Sequence, residues 1–194
     1  GRSTSSGTIL FPHNHEDKMK KRILHRASVE QENRAPRKSV TVKVPASSAN
    51  MGPGYDCIGC AVDLWSELTV ERADKFEIIA TGEGAEEMPK DATNYMVVGV
   101  KGAFDAANKP MPLLKYTVHS KIPYARGMGS SSAAIVSGII AGLVLAGHQL
   151  PCWGSEALLQ IAASIEGHPD NVAPVIYGGI QLGIHTGTRW MTER

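Results

Sequence analysis

The sequence has almost no net charge. Its 20 Lys and Arg stand against 19 Asp and Glu, a formal balance of +1 over 194 residues. That balance gives no argument for a nucleic-acid or anionic-membrane surface. Cysteine is scarce: three cysteines cannot build a disulfide framework and fit a reducing compartment. Cys57 and Cys60 spell C-x-x-C, but no second Cys or His pair follows to complete a metal site, and Cys152 stands alone. Long apolar runs are missing too. The stretch 133–147 has 15 residues without a charge, short of the roughly 20 that a bilayer span needs. The first 37 residues contain no apolar core of a secretory signal, and Glu16, Asp17, Glu30 and Glu32 argue against an organellar transit peptide. The expected location is cytoplasmic, with no membrane and no nucleic-acid partner.

What is present fits a globular chain, with 42% hydrophobic and 20% charged residues. Residues 1–37 are polar and mixed in charge and read as a disordered N-terminal extension. From Lys38 the character changes. Residues 39–45 alternate β-branched and polar side chains and stop at Pro45, a first strand. Residues 46–59 form a loop of small and turn-forming residues holding Asn50 and Asp56. Residues 61–71 read as a second strand, with 76–81 as its hairpin partner. Residues 94–107 read as a helix capped by Thr93, with Met96, Val97, Val100, Ala103 and Phe104 in one stripe. A strand over 116–123 and a buried helix from Ala133 follow. Residues 155–167 are a helix capped by Ser155 and stopped by Gly167, and 175–185 a strand.

Three stretches carry chemistry. Pro123-Tyr124-Ala125-Arg126-Gly127-Met128-Gly129-Ser130-Ser131-Ser132-Ala133 packs glycines and serines directly before the apolar helix. Such a turn offers unpaired N–H groups, a positive dipole end and hydroxyls to a phosphate. It is neither G-x-x-x-x-G-K-[ST] nor G-x-G-x-x-G, and a serine-capped turn is its alternative reading. Asn50 and Asp56 sit six apart in the first loop, where Asx turns are the ordinary use of such residues. His168, Asp170 and Asn171 surround Pro169 between a helix and a strand, as a ligand corner or as a helix-end hydrogen-bond cluster.

Taken in order, the motifs over 45–56, 123–133 and 166–174 resemble those of homoserine kinases, within the galacto-, homoserine, mevalonate and phosphomevalonate (GHMP) kinases. The resemblance covers about residues 38–183. It implies an α+β fold, the ribosomal protein S5 domain 2-like N-terminal domain of GHMP kinases, over 38–194. It further implies ATP-dependent phosphorylation of the hydroxyl of L-homoserine to O-phospho-L-homoserine, a step of threonine biosynthesis. By resemblance the loop 123–133 wraps the phosphates of ATP, Ser131 contacts Mg²⁺, and Asn94 lines the adenine pocket. Asn50, Asp56, His168 and Asp170 surround homoserine. Asn50 and Asp56 are the catalytic candidates, Asp56 as a substrate orienter first and a base second.

Two departures accompany the resemblance. The family's acidic Mg²⁺ ligand eight residues before the histidine falls on Gln160, a weaker ligand than a carboxylate. The family's C-terminal domain, with its substrate-carboxylate arginines, is missing, so the chain reads as a fragment or truncated product. A catalytically silent nucleotide-binding fragment, or a sister GHMP kinase for another small alcohol, are the alternatives; a homodimer is compatible with either.

Overall fold

The structure is a computed structural model that describes residues 37–147 and 154–194. The expected N-terminal extension and Cys152 lie outside the described residues, apart from Arg37. The strands are β1 (Ser39–Ala49), β2 (Ile58–Arg72), β3 (Glu77–Gly82), β4 (Leu114–Ser120), β5 (Ile180–His185) and β6 (Trp190–Glu193). The helices are α1 (Tyr95–Ala106), α2 (Ser130–Leu145), α3 (Gly154–Glu166) and α4 (Val172–Tyr177). One mixed sheet runs β3-β4-β2-β5-β6, with β1 also paired to β2.

Alternation in the sequence explains which sheet face is buried. Val42 and Val44 of β1, Leu68 and Val70 of β2, and Leu114, Tyr116 and Val118 of β4 all enter the core. Between them, Thr41, Thr69 and Thr117 pair across the outer face, where the Thr41 and Thr69 hydroxyls lie 2.8 Å apart. One apolar and one polar face is the usual state of a largely antiparallel sheet. β5 reverses the pattern: Ile180, Leu182 and Ile184 are exposed while Gln181 and Gly183 are buried. Gln181 is kept satisfied by Gly178 O at 2.6 Å and the Thr192 hydroxyl at 2.8 Å.

α2 is buried nearly all round, which its charge-free sequence requires. It packs against α1 through glycines. A methyl group on Gly138 would overlap the Met96 carbonyl oxygen, and one on Gly142 would crowd Ala103 Cβ at 2.7 Å. Among the described residues no helix is long and apolar enough to cross a membrane.

Six expectations are corrected. β1 does not stop at Pro45 but continues through a register shift there to Ala49. Ser155 lies inside α3, which begins at Gly154, and does not cap it. Strand 76–81 exists but is not the hairpin partner of β2. It pairs in parallel with β4, and β4 pairs antiparallel with β2, so β4 lies between them. The connection turns away because Ala73 N donates to Leu113 O, 3.1 Å away, just before β4. The cap of α1 is Asn94, not Thr93: its side chain accepts from Met96 N at 2.9 Å. α2 begins at Ser130, three residues before the expected start, because left-handed Gly129 serves as its N-cap. Finally, residues 175–177 are helical. Pro174 sits in the first turn of α4, where its missing N–H costs nothing, and Gly178 and Gly179, at φ 71° and 65°, release the chain into β5.

Candidate functional site

Between β4 and α2 the chain takes left-handed conformations at alternate residues, Ala125, Gly127 and Gly129, with φ of 53°, 70° and 64°. Alternating hands turn neighbouring N–H groups toward one side, the geometry of an anion nest. α2 then begins with Ser130, Ser131 and Ser132 and has no acidic residue of its own in its first turn, so its positive end faces the nest. Arg126 is exposed at the loop's crest. Gly129 is required twice over. Its φ disfavours any side chain, and a methyl group there would strike Ser47 Oγ and come within 3.1 Å of Ser47 O.

The last residue of α3 reaches this loop. Glu166 Oε1 accepts from Ser131 Oγ at 2.9 Å and from Ser132 Oγ at 3.0 Å. Gly167, at φ 99°, ends the helix immediately afterwards. A carboxylate beside a phosphate nest repels its ligand unless a cation stands between them. Glu166 carboxylate and Ser131 hydroxyl are hard oxygen donors of the kind Mg²⁺ takes together with phosphate oxygens, so the residues present fit that ion.

The second half of the site is a corner of four polar side chains. Asn50 and Asp56 both adopt left-handed backbone, φ 60° and 56°, and Asn50 Oδ1 accepts from Asp56 N at 2.8 Å. The bond spans six residues rather than the two of the Asx turn anticipated here, and it holds Asp56 at the tip. His168 Nδ1 pairs with Asp170 Oδ1, which also accepts from Asn171 N at 2.7 Å. One ligand atom each from Asp56, His168 and Asp170 lies within 4.8 Å of the others. Asp170 is completely buried, and its Oδ2 has no hydrogen-bond partner among the described residues. A buried carboxylate oxygen left unpaired is costly, and a cationic ligand group would satisfy it. Backbone fit holds the corner shut from below: Gly59 lies against Asp170 O and Gly183 against Pro169, with no room for a Cβ at either.

One side chain touches both halves. Ser47, fully buried near the end of β1, donates from its main-chain N to Met128 O at 3.2 Å. Its hydroxyl donates to Asn171 Oδ1 at 2.9 Å.

With this geometry in place, the chain can be compared with known proteins. The family model described as GHMP kinases N terminal domain matches residues 94–179. The fold is that of the N-terminal domain of GHMP kinases. A homoserine kinase from Cutibacterium acnes is 47% identical over 148 residues, 74% of this chain and 50% of that protein. One from Desulfitobacterium hafniense is 43% identical over 145 residues, 75% of this chain and 48% of that protein. The solved structure of homoserine kinase from Cytophaga hutchinsonii superposes with a TM-score of 0.68 at 27% identity, covering 83% of this chain and 53% of that one. The chain thus spans about half the length of the curated relatives it matches.

Two residues assigned by resemblance make packing bonds. Gln160 Nε2 donates to Trp190 O at 2.6 Å and its Oε1 accepts from Trp190 N at 2.8 Å, tying β6 to α3. The acidic side chain bonded to the loop serines is Glu166. Asn94 is also committed, to Met96 N as the cap of α1 and to Pro89 O at 2.7 Å through Nδ2. It is buried, and these two bonds fix where α1 begins while one Nδ2 proton stays uncommitted. Cys57 and Cys60 are free thiols. Three residues apart at the start of β2, their Cα atoms are about 10 Å apart by extended-chain geometry, beyond disulfide reach.

Sequence reasoning left Glu166 and Ser47 without a role, although Glu166 stands inside the motif 166–174 and Ser47 inside the motif 45–56; an acidic residue closing a helix beside a Gly-His-Pro-Asp-Asn run was a usable signal. Asn171 was placed in the ligand corner, but its bond to Ser47 was not foreseen.

Proposed function

We propose that this domain, within a protein of its relatives' length, transfers the γ-phosphoryl group of ATP to the hydroxyl of L-homoserine. The observation that carries the reading is the junction of two unlike half-sites: a donor-rich nest with a carboxylate at its rim, and an acidic corner with an orphaned, buried carboxylate oxygen. The first suits a nucleotide's phosphates and the second an amino acid's ammonium.

In this reading the loop 123–133 cradles the phosphates, with N–H groups around Gly127 and Gly129 as donors. Ser131 and Glu166 would hold Mg²⁺, which would supply charge neutralisation for the phosphates. Asp170 Oδ2 and Asp56 receive the ammonium. His168, whose Nδ1 is held by Asp170, turns Nε2 outward as a hydrogen-bond partner for the acceptor's carboxylate or hydroxyl. Asn50 positions Asp56 by accepting its main-chain N–H. Asp56 orients the hydroxyl before it acts as any base, because phosphoryl transfer is governed mainly by alignment and charge.

Among the described residues the corner brings two carboxylates together but no arginine, and the carboxylate of an amino acid needs a cationic partner, usually a bidentate arginine. That gap supports the second reading, that residues 38–194 form a nucleotide-binding module that does not turn over homoserine by itself. A coupled ADP-release assay, with L-homoserine, mevalonate and galactose as acceptors, tests both. The 194-residue chain is expected to be silent, and a protein of the relatives' length to turn over homoserine. Preference of the longer protein for another acceptor would overturn the substrate, and robust turnover by the short chain would overturn the second reading.

A further inference from the structure

We infer that Ser47 is a positioning residue that couples the phosphate nest to the acceptor corner by fixing the amide of Asn171. The assignment rests on the functional reading above only where it touches catalysis; the coupling is a property of the ligand-free domain.

Three contacts converge on Ser47. Its main-chain N holds Met128 O at 3.2 Å, and Met128 lies between the two left-handed glycines of the nest. Its Oγ fills the space where a Cβ on Gly129 would stand. The same Oγ donates to Asn171 Oδ1 at 2.9 Å, across 124 residues of sequence. A serine hydroxyl has one proton to give. Giving it to Asn171 means that the Asn171 amide is held by its oxygen and its two Nδ2 protons point away from Ser47. Asn171 in turn donates its main-chain N–H to Asp170 Oδ1, the oxygen that pairs with His168. An unbroken path of direct contacts therefore runs from Gly129 through Ser47, Asn171 and Asp170 to His168. Because Ser47 is fully buried, no water can take its place without repacking.

In-line transfer requires donor and acceptor to be held at a fixed separation, and small misplacements are expensive. The acceptor corner joins the two ends of the domain sequence, at Asn50 and Asp56 and at His168 and Asp170, while the nest lies between them at 125–132. Ser47 links corner and nest with a single side chain and sets their spacing without touching either ligand.

The coupling is tested without ligand, by nuclear magnetic resonance on the 194-residue chain. Gly129→Ala is introduced alone and in a Ser47→Ala background. The expected result is that the added methyl group shifts the Asn171 side-chain amide and His168 ring signals when Ser47 is present, and leaves them in place when it is not. Equal shifts in both backgrounds, or none in either, overturn the proposal. Asn171→Ala reads the same path from the other side should Gly129→Ala fail to fold: the Met128 and Gly129 amide signals shift in the Ser47 protein and stay put in Ser47→Ala. The catalytic consequence is read separately, in a protein of the relatives' length. There Ser47→Ala is expected to lower kcat by about tenfold to a hundredfold with KM for ATP changed by less than about threefold. An unchanged kcat, or a loss confined to KM, would remove the positioning role. If the parent transfers no phosphoryl group, the functional reading fails while the resonance result still decides the coupling.

Discussion

The two ends of α2 use the same small residues for unlike purposes. At the N-terminal end, Gly129 takes a left-handed conformation that only glycine adopts cheaply, and the serines after it present hydroxyls to Glu166. In the body, Gly138 and Gly142 are ordinary helical residues whose missing side chains let α1 approach within backbone contact. Ser137 likewise turns inward and donates to Ala134 O at 3.1 Å, a packing use of a hydroxyl. A Gly- and Ser-rich stretch is thus not one signal. What separates the uses is whether the residue's backbone or its absent side chain is needed, and that depends on what lies opposite.

The same added methyl group breaks the comparison most sharply. Gly138→Ala gains helix propensity of about 1 kcal/mol, but its Cβ meets the Met96 carbonyl, backbone that cannot move aside. Overpacking against backbone should dominate and lower stability by about 2–4 kcal/mol, while nucleotide affinity of the folded protein stays unchanged. Gly129→Ala reverses the order. It costs about 1–2 kcal/mol for the left-handed residue but disturbs the nest, so affinity for ATP with Mg²⁺ should fall at least about tenfold, roughly one lost charge-assisted hydrogen bond. Thermal melts and calorimetry on both variants decide the matter. A Gly138→Ala protein that melts like the parent would show that the α1–α2 contact is looser than drawn.

The sequence revealed elements whose cause is local and missed those whose cause is distant. β1, β2 and β4 were readable because one face is buried and the side chains alternate accordingly. The partner of β3 was not, since the choice between β2 and β4 is made by the crossover through α1. Val175-Ile176-Tyr177 favours a strand by propensity, and Pro174 with the following glycine pair overrode it. In the site, the donor density of 127–132 and the Asn50–Asp56 loop were visible, being local backbone chemistry. The Ser131–Glu166 contact joins residues 35 apart, and it exists because the end of α3 comes back to the start of α2. Counting back from His168 chose Gln160 instead, a residue whose amide belongs to the β6 anchor.

The next largest effect sharpens the contrast between those two residues. Glu166→Gln keeps the size of the side chain and removes its charge. The magnesium needed for half-maximal ATP binding should rise by about tenfold or more, since a neutral amide is a poor Mg²⁺ ligand. Without magnesium the sign inverts: the variant should bind ATP better than the parent, because a carboxylate no longer opposes the phosphates. Gln160→Ala should leave the magnesium dependence alone. It should cost about 1–2 kcal/mol of stability through the two lost bonds to Trp190. A magnesium response in Gln160→Ala and none in Glu166→Gln would return the metal to Gln160.

The smallest effect concerns two orphaned oxygens, one on each side of the comparison. Among the described residues the buried side-chain atoms without a partner are Asp170 Oδ2, in the site, and the Tyr116 hydroxyl, in the core. In the proposed function the first receives the acceptor's ammonium. The second sits in β4 among apolar side chains, its ring 5.8 Å from that of Phe76, and burial pushes its pKa up to about 12. Removing it should therefore cost little. Tyr116→Phe is expected to stay within about 1 kcal/mol of the parent at neutral pH, on the stabilising side, because an unsatisfied hydroxyl is deleted and the packing kept. Alkaline pH separates the two proteins. A raised folded pKa means that the unfolded chain loses its proton first, near 10, so this group's stability is complete below pH 10 and is lost as pH climbs toward 12. The parent should lose about 2–3 kcal/mol over that window relative to Tyr116→Phe, read as the difference between their denaturant midpoints at each pH. Parallel curves from pH 8 to 12 would mean that the hydroxyl reaches water or a partner, and that Asp170 Oδ2 alone remains as an orphan with a purpose to be tested.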